Sequence, residues 1–432
     1  MFNSKALTKI QSAVLIAVIV FASVGGGVAY VLLSGQEQLG ETIKIGVCAD
    51  LDSGGGKGIW QEAILATEQV NAEGGVLGRN FEIVAEDDDG ESATVDIATA
   101  TNAFTKLITV DEADYVIYSG RGGLSLAFQD IAADHKIILF DAYDSADELT
   151  QRVLDDYEKY KYFFRVGIAN TTSNINGFPE SFRVLREYTG FNKVAFVSNQ
   201  MPGQKDTNAA IIDILLEYGF EVVYNARVPL DTVEFSSYFA GAETSGAEIL
   251  CSFIITPAGV SFVKEYYDRQ SPMVLWGFIS MAGQSNFWEL TEGKCEHITS
   301  TAYPTAIGYP LTNKTLLFTD AYMERWGEVG SGAVYDLVRY ILPDALKRAG
   351  TTETEAVIKA LETTSIETSL ARRFVFTSSH DIMVGSNRPG EEYFLTCFFQ
   401  WQNGEQVPVL PKEIMEEAGV TYTYPDWAGP WD

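Results

Sequence analysis

The sequence has few histidines, and its basic residues are far too few to balance its acidic ones. The three histidines, His135, His297 and His380, stand far apart, and no G-x-S-x-G or H-E-x-x-H motif occurs. With 30 basic and 59 acidic residues the formal net charge is −29, which repels phosphate backbones. We therefore expect no enzyme, no metal site, no cofactor and no nucleic-acid partner.

Cysteine is also scarce. The four cysteines fit neither a zinc motif nor the C-x-x-C redox motif, because they lie far apart, at Cys48, Cys251, Cys295 and Cys397. Two alternatives remain open. Cys251 and Cys295 could form a disulfide outside the cell, or all four could be small buried hydrophobic residues.

Only one segment of the sequence is long and apolar enough to cross a bilayer. Ala13 to Leu33 carries no charge over 21 residues, which as a helix would rise roughly 31 Å. Lys5 and Lys9 precede it, so residues 1–12 are expected in the cytoplasm and the rest outside. A cleaved secretory signal is the alternative, but the favoured prediction is a retained membrane anchor at 13–33 followed by a tether at 34–41.

Downstream of the tether, short apolar strands alternate with helical stretches in two series. The first series begins at Ile43–Ala49 and the second at Ser173–Tyr188. Strands separated by single helices form parallel sheets covered on both faces, and 432 residues exceed one ordinary domain. The sequence therefore predicts an α/β protein of two Rossmann-like lobes, with ligand contacts in the loops that follow the strands.

One of these loops, Leu51–Gly58, is rich in glycine. It is neither a P-loop, because Gly58 follows Lys57, nor a dinucleotide fingerprint, because Ile59 occupies the last glycine position. We expect a flexible rim loop whose backbone N–H groups face the ligand, with Trp60 in the core.

Three segments carry a family resemblance: Ile43–Val47, Glu68–Arg79 and Glu86–Asp88. They resemble the opening of type I periplasmic binding proteins of the branched-chain amino acid transporter family, and a weaker likeness extends over 41–409. Within the second segment, Gly74 and Gly75 suit a left-handed helix end and Gly78 a tight turn. The resemblance implies two lobes joined by a three-stranded hinge, which close on a small ligand.

The resemblance also implies site positions. Gly122 falls where a carboxylate-binding serine is common, Tyr143 where a backbone carbonyl meets the ligand, and Ser145 where a threonine is usual. Ile279 stands near an acid that pairs with the α-ammonium in amino-acid binders, so that charge partner is missing here.

Arg121 lies in the loop between a predicted strand and a helix, where a guanidinium and free N–H groups would hold an anion. The alternatives are that Arg121 pairs with Asp141 or points to solvent. The full set of predicted ligand-binding residues is Ser53, Ser119, Gly120, Arg121, Gly122, Asp141, Ala142, Tyr143, Ser145, Asn199, Phe253, Thr256, Phe278 and Ser280.

The family pattern also predicts how the chain is divided. Lobe 1 would comprise 42–167 and 304–373, lobe 2 would comprise 168–303 and 374–409, and 410–432 would be a C-terminal tail. The three crossings between lobes are expected at Val166–Asn170, Tyr303–Tyr309 and Phe374–Thr377, and a hairpin turned at Asn403-Gly404 would close lobe 2.

The function expected from these patterns is that of a monomeric solute-binding protein of an ABC transporter, anchored outside the cell. It would capture a small organic ligand, such as an amino acid, an amide or a carboxylate, and deliver it to a membrane permease. The alternative is a ligand-sensing receptor ectodomain that signals through a partner membrane protein.

Overall fold

The computed structural model describes residues 41–89, 96–118, 122–200, 204–303, 305–385, 392–394, 397–410 and 412–428. The predicted anchor at 13–33 and the segment before it lie outside these residues, as does all of the tether except its last residue. Within the described ranges, no helix combines the length and the apolar character needed to span a bilayer.

The first sheet is parallel and five-stranded, in the order β2-β1-β3-β4-β5. Its strands are β1 (Ile43–Ala49), β2 (Phe81–Asp87), β3 (Tyr115–Tyr118), β4 (Ile138–Asp141) and β5 (Phe163–Arg165). The helices between and after them are α1 (Gly54–Ala72), α2 (Ile97–Thr109), α3 (Gly122–His135), α4 (Asp147–Asp155) and α5 (Tyr157–Tyr160). Every residue of β3 and β4 is buried, because helices cover both faces of the sheet.

The second sheet has seven strands in the order β12-β11-β10-β9-β8-β6-β7. These are β6 (Lys193–Asn199), β7 (Glu221–Val228), β8 (Ile249–Ile254), β9 (Val274–Ile279), β10 (Thr299–Ala302), β11 (Cys397–Gln402) and β12 (Glu405–Leu410). The pairs among β6 to β10 are parallel, whereas β11 and β12 form an antiparallel hairpin. Asn403 and Gly404 turn it with positive φ angles of 54° and 86°, which confirms the predicted hairpin.

Helices of the second series alternate with these strands. They are α6 (Thr171–Thr189), α7 (Gln204–Glu217), α8 (Ser236–Thr244), α9 (Gly259–Asp268) and α10 (Phe287–Leu290). Phe182 and Leu185 of α6 share a core with Phe196 and Trp276, so this helix belongs with the second sheet.

The chain then returns to the first sheet as a run of helices. They are α11 (Asn313–Trp326), α12 (Ala333–Asp336), a π-helical turn (Leu337–Ile341), α13 (Leu342–Ala349) and α14 (Thr354–Glu362). Their apolar residues, such as Val338 and Leu361, share a core with Ile117 and Phe140 of the sheet. The opposite face of the sheet packs against α2 and α3 through residues such as Val116. Two α/β units with mainly parallel sheets confirm the α/β, two-lobed part of the predicted fold class.

The glycine run after α1 behaves as predicted. The φ angles of Gly74, Gly75 and Gly78 are 97°, 74° and 71°. A side chain at Gly75 would overlap the carbonyl of Arg79, which closes the turn by accepting from the Val76 N–H at 2.8 Å. These glycines therefore fix the reversal from helix to strand.

The predicted boundary between the two units near residue 374 differs from the boundary in the structure. Phe374 and Phe376, expected to begin the second lobe, pack in the core of the first sheet together with Ile382 and Phe394. Between residues 366 and 394, the described residues form isolated bridges and no strand. Because a strand is absent there, the sequence lacks the apolar alternation that would have marked this segment. The final connection to the second sheet therefore follows Phe394.

The C-terminal residues, predicted as a tail, form part of the second unit. Helix α15 (Lys412–Ala418) follows β12, and its Met415 packs in the same core as Tyr422 and Trp276. The side-chain amide of Gln400 on β11 donates to the Thr423 carbonyl at 2.8 Å.

Candidate ligand-binding site

The predicted site residues divide between the carboxyl edges of the two sheets. Ser53, Asp141, Ala142, Tyr143 and Ser145 follow strands of the first sheet, and Gly122 begins α3. Asn199, Phe253, Thr256, Phe278 and Ser280 lie at or beyond the ends of strands of the second. Ser119, Gly120 and Arg121 lie outside the described residues. Since loops at the carboxyl ends of parallel strands converge, each sheet gathers its own set.

The glycine-rich segment after β1 is helix, so the prediction of a flexible rim loop is wrong. Helix α1 begins at Gly54, and Ser53 is its N-cap, accepting from the Gly56 N–H at 2.9 Å. A side chain at Gly56 would overlap the Asp50 carbonyl, which explains the glycine. Trp60, expected in the core, is 38% exposed.

Asp141 ends β4 and is completely buried. Its Oδ1 accepts from the N–H groups of Tyr143 at 3.1 Å and Asp144 at 2.8 Å, which fixes the loop that follows. Its Oδ2 has no hydrogen-bond partner in the described part of the chain. Burial, reinforced by the nearby Asp144, raises the pKa of Asp141 to about 7, although Arg165 opposes this shift.

The loop from Ala142 to Ser145 is hydrogen-bonded to the second unit. The Ser145 carbonyl accepts from the Thr171 N–H at 2.8 Å and from the Thr171 hydroxyl at 2.9 Å. Asp147 of α4 also accepts from the Thr172 N–H at 3.0 Å. Because Thr171 and Thr172 begin α6, this loop is bonded to a helix of the second core.

The side chain of Tyr143 is engaged elsewhere. Its hydroxyl contacts Ser331, which in turn donates to the buried carboxylate of Glu62 at 2.9 Å. Burial and the neighbouring Glu62 raise the pKa of Tyr143. Only the backbone of Tyr143 is left for a ligand, as the family resemblance implies. Ala142 is fully buried, and its carbonyl lies where a side chain at Gly167 would fall.

The edge of the second sheet carries polar groups without charge. Asn199 is buried, and its side-chain oxygen accepts from the Ile255 N–H at 2.8 Å, so it holds the neighbouring loop. The Thr256 hydroxyl is buried and has no partner among the described residues. Phe253 stacks on Phe196 at 5.5 Å between ring centroids. Phe278 and Ser280 are half-buried at the end of β9.

Tyr118 lies beside the predicted site residue Asp141 but was not itself among the predicted residues. It pairs in register with Asp141 across β3 and β4, and its buried hydroxyl has no hydrogen-bond partner within the described ranges. Burial raises its pKa, and Asp141, Asp88 and Asp144 reinforce the shift. Tyr118 carries a hydroxyl and is the last residue of a short, fully buried strand, and this pattern in the sequence could have identified it.

No group of three or more histidine, cysteine or acidic side chains is arranged to hold a metal ion, as far as the described chain shows. All four cysteines are free and buried, which confirms the second of the two cysteine alternatives.

A model of the periplasmic binding protein family matches residues 42–386. The chain belongs to that family. This confirms the resemblance seen in the sequence. The family consists of extracytoplasmic binding proteins that carry out no catalysis, so the chain is a solute-binding protein and not an enzyme.

Individual relatives are distant. The Leu/Ile/Val-binding protein homolog 7 of Brucella abortus is 23% identical over 365 residues, covering 80% of this chain and 85% of its own. A solved branched-chain amino acid ABC transporter protein from Silicibacter pomeroyi superposes with a TM-score of 0.79 at 18% identity, covering 89% of this chain and 100% of the other. A solute-binding protein from R. palustris in complex with benzoate gives 0.63 at 17% identity, covering 85% and 95%.

Proposed function

We propose that this chain is the solute-binding protein of an ABC transporter, which captures a small organic ligand by closure of two lobes and delivers it to a permease. The ligand class is an amino acid, an amide or a carboxylate-like compound. The names of the relatives support this range, since one refers to leucine, isoleucine and valine and another structure holds benzoate.

One observation carries the proposal: the loop after β4 is hydrogen-bonded to the start of α6. Ser145 holds Thr171, while Phe182 on the same helix packs in the second core. A ligand that binds the backbone of this loop therefore contacts a segment linked to both sheets. Its binding energy can favour one arrangement of the two units over another.

The connections between the sheets support hinge closure. The first, at 166–170, leaves β5 and enters α6, and the second follows β10. A third follows Phe394, the last described residue of the first core. Three neighbouring connections permit rotation about a common axis while restricting sliding.

We further propose that Ala13 to Leu33 anchors the binding protein in the membrane, with the lobes outside the cell. A tethered binding protein remains close to its permease, which raises the effective concentration of the loaded form at the docking site.

The test is a metabolite panel applied to the full chain in detergent micelles. A true ligand should raise the melting temperature by several degrees and reduce the radius of gyration measured by small-angle scattering. If no amino acid, amide or carboxylate stabilises the protein, capture of this ligand class is contradicted. If a ligand binds but its transport does not depend on this chain, delivery to a permease is contradicted.

A further inference from the structure

The two carboxyl edges differ in charge. In the second sheet, the segments that follow β6, β8 and β9, namely 199–203, 255–258 and 279–284, contain no charged residue. In the first sheet, Asp88 and Asp144 are buried together with Asp141. The edge of the first sheet therefore carries several buried acids beside the buried Arg165, which is paired with Asp381, whereas these segments of the second sheet carry no charge.

Tyr118 and Asp141 lie in the last register row of the first sheet. Cys48, Tyr118, Asp141 and Arg165 are successive partners across β1, β3, β4 and β5. Neighbours in a parallel register project from the same face, and here that is the face packed against α3. The side chains of Tyr118 and Asp141 therefore lie on the same face of adjacent strands.

Two neighbouring charged side chains, Arg165 and Asp144, make hydrogen bonds of their own. Arg165 donates to Asp381 at 3.0 Å and to the Ala146 carbonyl at 2.7 Å. Asp144 accepts from the Ala146 N–H at 2.9 Å and also from Ser125. Among Tyr118, Asp141, Asp144 and Arg165, the buried side-chain atoms without a partner in the described chain are Asp141 Oδ2, the Tyr118 hydroxyl and Arg165 Nε, and the first two of these can accept a hydrogen bond. Two such neighbouring atoms are costly unless a donor reaches them.

We propose that the ligand presents a positively charged nitrogen to the first sheet, where Asp141 Oδ2 and the Tyr118 hydroxyl accept its N–H groups. This inference rests on the proposed function and narrows its ligand class to amines. The group that pairs with the charge of the ligand would then lie in the first sheet. In the second sheet, Ile279 stands near the position of the acid in amino-acid binders, and it is apolar and buried.

The proposal has a pH signature. The groups that face Asp141 are Tyr118 on β3, Arg165 on β5 and Asp144 in its own loop, and Asp88 and Cys48 lie close to Tyr118. Because burial raises the pKa of Asp141 to about 7, the carboxylate form that binds an ammonium is scarce at pH 6. Affinity for an amine should therefore rise about tenfold between pH 6 and pH 8, and protons should be released on binding.

The experiment compares matched ligands by calorimetry on the full chain. The probes are leucine, 3-methylbutylamine and 4-methylpentanoate, with benzylamine and benzoate as an aromatic pair. We expect each amine to bind at least tenfold more tightly than the acid of similar shape. The Asp141→Asn variant, which keeps Oδ1 for the loop, should remove that preference, as should Tyr118→Phe in part. Asp134→Asn, an exposed aspartate at the far end of α3, is the matched control and should change nothing.

The outcomes separate the two proposals. Tight binding of the acids with no effect of Asp141→Asn overturns the amine proposal and leaves solute capture intact. Binding of none of the probes counts against the amine proposal, whereas solute capture is decided by the wider metabolite panel. If Asp141→Asn does not fold, the test is made on the wild-type protein. Calorimetry in buffers of different ionisation enthalpy then measures how many protons are released when an amine binds. Binding that is independent of pH and releases no proton overturns the amine proposal.

Discussion

The carboxylate of Asp381 accepts from the guanidinium of Arg165 at 3.0 Å, and the same oxygen accepts from the Asn170 N–H at 3.0 Å. Arg165 ends β5, and Asn170 is the N-cap of α6. Asp381 therefore fastens both ends of the first connection between the sheets. Both partners of the ion pair are buried, so neither can be solvated if the other is removed.

The Asp381→Ala variant should lower the free energy of unfolding by about 3–5 kcal/mol, because it leaves the buried charge of Arg165 without its carboxylate. Urea denaturation measures this loss. The control is Asp268→Ala, which removes an exposed partner of Lys294 and should cost less than about 1 kcal/mol. Equal effects of the two substitutions would contradict the special role of Asp381.

Two glycines at the start of α1 allow a second comparison between a test variant and its control. A Gly56→Ala methyl group would overlap the Asp50 carbonyl, whereas a methyl group at Gly54 has no atom within 4 Å. We expect Gly56→Ala to cost about 1–3 kcal/mol, and Gly54→Ala to be neutral or slightly stabilising. Thermal unfolding of both variants is the measurement. A stable Gly56→Ala protein would show that the Asp50 carbonyl does not approach position 56 this closely.

The cysteines give a chemical prediction. Burial raises the pKa of the Cys251 thiol and raises the pKa of Cys397 to about 12, so neither thiolate forms readily in the folded protein. A thiol reagent should label none of the four cysteines in the native chain and all four after denaturation without reductant. Labelling of only two after denaturation would instead indicate a disulfide between Cys251 and Cys295.

Stability should depend on pH through Asp141. Its pKa is about 7 in the folded chain, compared with about 3.9 for an unfolded aspartate. The folded state therefore binds more protons between these values, and stability falls as the pH rises from about 4 to 7. The full loss is on the order of 4 kcal/mol.

Asp141→Asn should flatten this pH dependence and should be more stable than the wild-type protein at pH 8. A smaller slope of the same sign should remain, because burial raises the pKa of Asp336 to about 6. Melting temperatures recorded from pH 4 to pH 8 measure both effects. Parallel profiles for the variant and the wild type would show that Asp141 is charged throughout this range.

The fold could be predicted because its signals are local. Strands buried on both faces appear as short apolar runs, and the Gly74, Gly75 and Gly78 pattern marks the return from α1 to β2. The segment 374–394 gave no such signal, since its apolar side chains join the first core without forming strands. Its apolar composition indicates burial but does not indicate which core it enters.

The site was predictable as a set of loops but not as a set of contacts. Strand ends located Asp141 and Asn199 correctly, yet the sequence does not show that Ser53 caps a helix or that the Tyr143 hydroxyl turns toward Ser331. Those outcomes depend on groups far along the chain. Tyr118 was not predicted, because its position beside Asp141 follows from the register of β3 and β4, which exists only once the sheet is assembled.

Both units contain elements from late in the chain, and this has a consequence for folding during synthesis. Strand β10 pairs with β9 on one side and with β11 on the other, and the first core includes residues as late as Phe394. Neither unit can therefore complete its packing until nearly the whole polypeptide has been synthesised. A chain that must pass through a membrane channel before folding gains from this delay, since its amino-terminal portion cannot reach a finished, translocation-resistant state prematurely.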